Sequence, residues 1–162
     1  MSANERLTAA IERATPLLLA MSDSAASTPP APDKWSPKEV IGHLIDSASN
    51  NHGRFVRAQF AADLVFAGYE QERWVEMQRY TDAAWAELVA LWRGFNLHIA
   101  RVMANTPDDV ARAPRANHNL DEIAFHTVPR GQPATLGDFM ADYVDHLEHH
   151  LAQIFPRDTM SP

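Results

Sequence analysis

The chain has 162 residues, no cysteine and a formal charge of −7 with histidines neutral. That length suits a single domain over residues 1–162, the missing thiols exclude disulfides, thiolate metal sites and a cysteine nucleophile, and the acidic balance argues against nucleic acid and anionic membranes as partners. Lys34 and Lys38 are the only lysines, the arginines are scattered and no apolar run nears the ~20 residues that cross a bilayer, so a cytoplasmic protein is expected.

The first predicted element covers residues 4–21. Leu7, Ile11, Leu17 and Leu18 give it an amphipathic pattern, and Pro16 predicts a kink there or a break at Thr15. Residues 22–34 are rich in Ser, Ala and Pro and read as an extended connection. A second helix opens at Ser36-Pro37-Lys38-Glu39, which combines an N-cap serine, proline at N1 and glutamate at N3. It should run to about Gln59, with Val40, Ile41, Leu44, Ile45, Ala48, Phe55 and Val56 facing inward and Trp35 stapled onto Val40.

A short helix is expected near residues 70–78. Thr81 then caps a long third helix that ends near Thr106-Pro107, its inner face made by Trp85, Leu88, Val89, Trp92, Phe95, Ile99 and Met103. The tryptophans Trp74, Trp85 and Trp92 read as core. The stretch 107–133, with Pro107, Pro114, Pro129 and Pro133, reads as a long loop that would cover the mouth of a site. Thr135 with Asp138 opens the fourth helix, and Pro156 ends it. Four long helices and no strand pattern predict an all-α four-helix bundle with a long loop before the last helix.

The chemistry lies in the histidines. His146 and His150 are spaced i, i+4, roughly 40° apart on a helical wheel, at the edge of the apolar arc; His149 falls further toward the polar side. Two such imidazoles can share one metal ion, and a third, His43 on the second helix, would complete a set that leaves one coordination position open. Ser47, Asn50 and Arg54 follow His43 along one stripe, with Asp46 slightly off it, and are candidates for a small polar pocket. Asp46 and Asp142 are candidate acceptors for ligand N–H groups. Equally, Asp46 and Arg54 suit a solvated helix face. His52 reads as a packed or interface histidine, and His118 and His126 lie in the loop with no spacing that ties them to a site. The His-Glu-x-x-His signature, the di-iron Glu-x-x-His pattern, the Gly-x-Ser-x-Gly elbow and the P-loop are all missing.

Two strings carry a resemblance. Trp35-Ser36-Pro37-Lys38-Glu39-Val40-Ile41-Gly42-His43-Leu44-Ile45-Asp46 and Tyr143-Val144-Asp145-His146-Leu147-Glu148-His149-His150-Leu151-Ala152-Gln153-Ile154 are similar to the helix-two and closing motifs of the DinB/YfiT-like superfamily. The resemblance implies an up-down-down-up bundle, usually a homodimer, with a divalent metal ion, typically nickel or zinc, on three histidines. By motif position these are His43, His146 and His150.

It further implies a small-molecule substrate. The leading expectation is an S-transferase that uses a diffusible low-molecular-weight thiol such as bacillithiol or mycothiol. In that reading the metal favours the thiolate, and Arg54 and Asn50 engage carboxylate or hydroxyl groups of the cofactor. The alternative is a hydrolase using metal-activated water, with Asp46 as its base. A third reading is a non-catalytic metal-binding dimer. Ordinary imidazoles would make metal affinity fall as pH drops through about 6.5.

Overall fold

The computed structural model describes residues 1–155, so the expected stop at Pro156 lies outside the described residues. Four long helices form the frame: α1 (Ala3–Ala20), α3 (Pro37–Ala58), α5 (Trp85–Asn105) and α8 (Leu136–Ile154). Short helices α2 (Asp23–Ala26), α4 (Gln71–Gln78), α6 (Asp108–Arg112) and α7 (Leu120–Ile123) and one 3₁₀ turn (Tyr80–Asp82) fill the connections. No described helix is long and apolar enough to cross a membrane.

The sequence signals act where they were expected for α3 and α8. Ser36 Oγ accepts from Glu39 N at 3.3 Å while Ser36 N donates to Glu39 Oε2 at 2.8 Å, so two N–H groups at the helix start are satisfied reciprocally. Thr135 Oγ1 accepts from Asp138 N at 3.0 Å.

The first helix runs through Pro16 without the break at Thr15, and two other expectations fail at element ends. Residues 22–34 are not wholly extended, because Ser22 accepts from Ala25 N and starts α2. Thr81 does not cap the third helix: it lies in the 3₁₀ turn, and α5 begins at Trp85, whose N–H donates to Asp23 Oδ1 at 3.3 Å. The same carboxylate takes the buried Lys38 ammonium at 3.0 Å, and Lys38 also donates to Thr81 O. A side chain from α2 thus does the capping that a local threonine was expected to do.

α5 and α8 each pack on both α1 and α3. Side-chain contacts fix the directions. Trp85 Nε1, at the start of α5, donates to Leu18 O near the end of α1, so these two run antiparallel. His52 packs on Phe95 and His98, and Lys38 reaches Thr81, so α3 and α5 run parallel. His43 meets the end of α8 and Phe55 meets Phe139 near its start, so α3 and α8 run antiparallel. The result is the up-down-down-up order. Its core is one cluster in which Leu7, Ile11, Ile41, Phe55, Trp92 and Leu147 are fully buried, each such side chain contributing about 1.5–3 kcal/mol.

Two parallel neighbours cannot be joined by a tight turn. The chain between α3 and α5 must travel back along the bundle, and it does so over the polar stripe of α3, with α4 and the 3₁₀ turn packed there. The stretch 107–133 is likewise more than a loop. It contains α6 and α7 and is pinned to the crossover: Leu64 N donates to Asn117 O, Asn119 N to Leu64 O, and the Asn119 side chain brackets both backbone groups of Phe66. Val56 and Trp74, expected inside, are 37% and 38% exposed, whereas Trp85 and Trp92 are buried.

Candidate metal centre

His43 projects from the second turn of α3, and His146 and His150 from the last turns of α8. One ring nitrogen from each lies within 4.8 Å of the other two. His43 Nε2 and His146 Nε2 are 3.1 Å apart. Tetrahedral ligands at ~2.0–2.1 Å from an ion stand roughly 3.3 Å from one another, so this pair already has the separation that a shared ion requires. His43 is fully buried and the other two are half-buried.

Burial also sets their charge. Desolvation, aided by the neighbouring imidazoles, pushes His43 and His146 down to about 3, and desolvation lowers His150 as well. Neutral imidazole is the form that binds a metal. His43 and His146 therefore stay neutral well below pH 6.5, and the loss of affinity expected through that value shifts to lower pH.

Each ring has its own support. Trp35, expected to staple onto Val40, has its ring 5.1 Å from that of His43 and 6.5 Å from that of His150, closing one side. His150 Nδ1 donates to Gln153 Oε1 at 3.0 Å, which directs Nε2 inward. Phe125 packs 5.5 Å from His146 and 5.1 Å from His149. Its position is set by Asp142, whose carboxylate accepts from Phe125 N at 2.8 Å and His126 N at 2.6 Å. Asp142 thus holds the loop rather than a ligand ring.

A cavity of about 340 Å³ opens beside the rings. His146, His149 and His150 line one part of it, and Ser47, Asn51, Arg54 and Tyr69 another. Arg54 is buried as its stripe position allows, but the asparagine on the cavity is Asn51; Asn50 instead donates to Asp46 O and does not line it. Asp46 does not line it either. Its Oδ1 accepts from Tyr80 Oη at 2.7 Å and from Gln78 Nε2 at 2.6 Å, and burial raises its pKa. Asp46 Oδ2 and His43 Nδ1 are both buried without a protein partner, so the expected pairing of this carboxylate with a ligand N–H is not formed.

The remaining histidines divide cleanly. His52 and His98 pair on the outer face of α3 and α5. His118 Nε2 donates to Gln132 O and its Nδ1 accepts from Leu120 N, a loop staple away from the cavity. His126 faces Asp142 on the far side of Phe125. His149 is exposed and outside the triad, as the helical wheel indicates, yet it lines the cavity. Trp35, Phe125, Gln153 and Asn51 were missed by sequence reasoning. Only Asn51 carried a usable signal, since it lies four residues after Ser47 and three before Arg54 on one helix.

A sequence profile of the DinB superfamily matches residues 6–154. Among curated proteins, the chain is similar to YfiT from Bacillus subtilis, 24% identical over 134 residues that make up 83% of this chain and 70% of YfiT. The solved structure of YfiT, described as a probable metal-dependent hydrolase with an unusual four-helix bundle topology, aligns with a TM-score of 0.75. That alignment covers 94% of this chain and 81% of the other at 20% identity, a likeness of fold.

Proposed function

This chain belongs to the DinB superfamily, and from that premise we propose that it is a metal-dependent enzyme that transfers a low-molecular-weight thiol onto small electrophiles. His43, His146 and His150 would hold a divalent ion, and three nitrogen donors suit nickel or zinc. The ion supplies a Lewis acid at an open position, able to lower the pKa of a thiol or of water.

The observation that favours a thiol is the state of the acids around the cavity. Of the carboxylates that line the cavity, Asp142 is committed to the loop amides and Glu122 to Arg130, and Asp46, which does not line it, gives only Oδ1 to Tyr80 and Gln78. No carboxylate among the described residues that line the cavity is left free to take a proton from water. Bound to an ion, a thiol (~8.5 when free) and water (~15.7 in bulk, ~7 on zinc) both ionise readily. Amide hydrolysis must also hand a proton to the leaving nitrogen, whereas transfer to an alkyl halide releases halide without an acid, and the exposed imidazole of His149 suffices to carry the thiol proton away. The thiol proton passes to His149 or solvent. The sulfur pair forms a C–S bond with the electrophilic carbon, and the leaving group departs with the old bonding pair. Trp35 and Phe125 keep bulk water off His43 and His146.

The second reading, hydrolysis, draws on the description of YfiT. One experiment separates the two. Nickel- or zinc-loaded protein is incubated with an alkyl halide or epoxide and bacillithiol, mycothiol or glutathione, and in parallel with esters and amides alone. Metal- and thiol-dependent adducts support transfer. Thiol-independent ester or amide turnover overturns it in favour of hydrolysis, and inactivity in both arms overturns it as well.

A further inference from the structure

We infer that the cavity carries a subsite for the carboxylate of a small ligand, built on Arg54; the inference rests on the proposed metal centre but not on thiol chemistry. Arg54 is only 5% exposed. Nη1 donates to Asn51 Oδ1 at 3.3 Å and Nη2 to Ala67 O at 2.7 Å. Both acceptors are neutral. A guanidinium has five N–H donors, so these two bonds leave donors to spare. Among the described residues Arg54 forms no ion pair. A buried cation without a counter-charge is costly, and desolvation lowers its pKa accordingly. The other deeply buried cation, Lys38, has Asp23.

The surroundings suit one monoanion. Ser47 and Tyr69 share the cavity wall with Arg54 and offer hydroxyl donors, while Asn51, on the same wall, spends its amide on Ser47 and Arg54. Burial and the nearby Asp46 push Tyr69 up to about 12, so its phenol keeps its proton at neutral pH. A single guanidinium fork matches a carboxylate. Glu122 and Asp142 on the same wall disfavour a dianion such as phosphate.

Spacing bounds the ligand. The guanidinium is held at Asn51, and Asn51 bonds back to Ser47. These residues lie eight and four positions beyond His43, or about 6–12 Å along the helix at 1.5 Å per residue. The ligand thus has a metal-binding group at one end and a carboxylate several bonds away.

The test uses the full chain loaded with cobalt(II), whose absorption reports what binds the ion. Mercaptohexanoate and mercaptooctanoate are titrated against mercaptohexanol and mercaptooctanol. At one length at least, the wild type should bind the acid roughly tenfold or more tightly than the alcohol. Arg54→Gln should remove that preference by weakening the acid alone, and Arg54→Lys should retain part of it. Equal affinities in the wild type, or a preference that survives Arg54→Gln, would overturn the subsite. So would an Arg54→Gln protein in which acid and alcohol weaken alike, because Arg54 would then be holding the fold. If no thiol binds cobalt, the transferase reading fails by itself. The same comparison with hexanohydroxamate and the monohydroxamate of adipic acid then decides the subsite independently.

Discussion

Gly42 and Tyr80 compete for the same space. A Cβ built on Gly42 falls 2.1 Å from Cδ2 of Tyr80, so the buried tyrosine ring rests on bare α3 backbone, and from there its hydroxyl reaches Asp46. Glycine in a helix costs about 1 kcal/mol against alanine, and here it makes room for the crossover that covers the polar stripe.

Gly42→Ala should therefore destabilise the protein by about 1–3 kcal/mol, since overpacking exceeds the gain in helix propensity. Gly94→Ala, at an exposed position of α5 where nothing lies within 4 Å, should stabilise it by up to about 1 kcal/mol. Urea denaturation of both variants checks the contrast; a Gly42→Ala protein as stable as Gly94→Ala would contradict the packing described.

Metal content should follow the triad and not the neighbouring histidine. His43→Ala and His150→Ala should lose most of the ion in elemental analysis of untagged protein, whereas His149→Ala should keep it. Metal loss in His149→Ala with retention in His150→Ala would require a different phase for α8.

The metal-free protein should lose stability as pH falls from about 6.5. Below that value the unfolded imidazoles take up protons, while folded His43 and His146 refuse them until about 3. Stability is thus fully present above about 6.5 and is lost on the way down. Asp46, whose pKa burial raises, acts in the opposite sense in the acid range, one carboxylate against four lowered imidazoles, His43, His52, His146 and His150. Thermal melts of chelator-treated protein between pH 4 and 7 test this, and a melting temperature independent of pH would refute it.

Asp142→Ala should release the loop that carries Phe125. Its carboxylate anchors two backbone amides and His126 Nδ1, worth about 1–2 kcal/mol in total if water replaces them. Hydrogen exchange at residues 125 and 126 should accelerate with little change elsewhere. Unchanged protection of those amides would mean that the loop is held by other contacts.

What could be read from sequence was what depends on one helix at a time. The cap at Ser36 follows from its local capping motif, and the i, i+4 pair on α8 and the displaced phase of His149 follow from 3.6-residue periodicity. What depends on a second segment was hidden. Asp46 and Arg54 carry the chemistry of solvated residues and are buried because the crossover lies over them. Asn50 and Asn51 differ by only ~100° on the wheel, and which one meets the cavity is decided by packing against α8 and the residues near Tyr69. The cap of α5 comes from Asp23, 62 residues away, a pairing that no local motif encodes. Phe125 and Asp142 belong to a loop and a helix whose contact emerges only once both are folded.

His43 and His146 stand 103 residues apart along the chain. During translation, a nascent chain that has released α1, α3 and α5 displays one of the three imidazoles and has no means of gripping an ion. The proposed centre would come into being only when α8 leaves the ribosome and docks in the groove between α1 and α3. Ion capture would thereby report that α8 has docked, and a polypeptide cut short ahead of α8 should emerge from the cell empty.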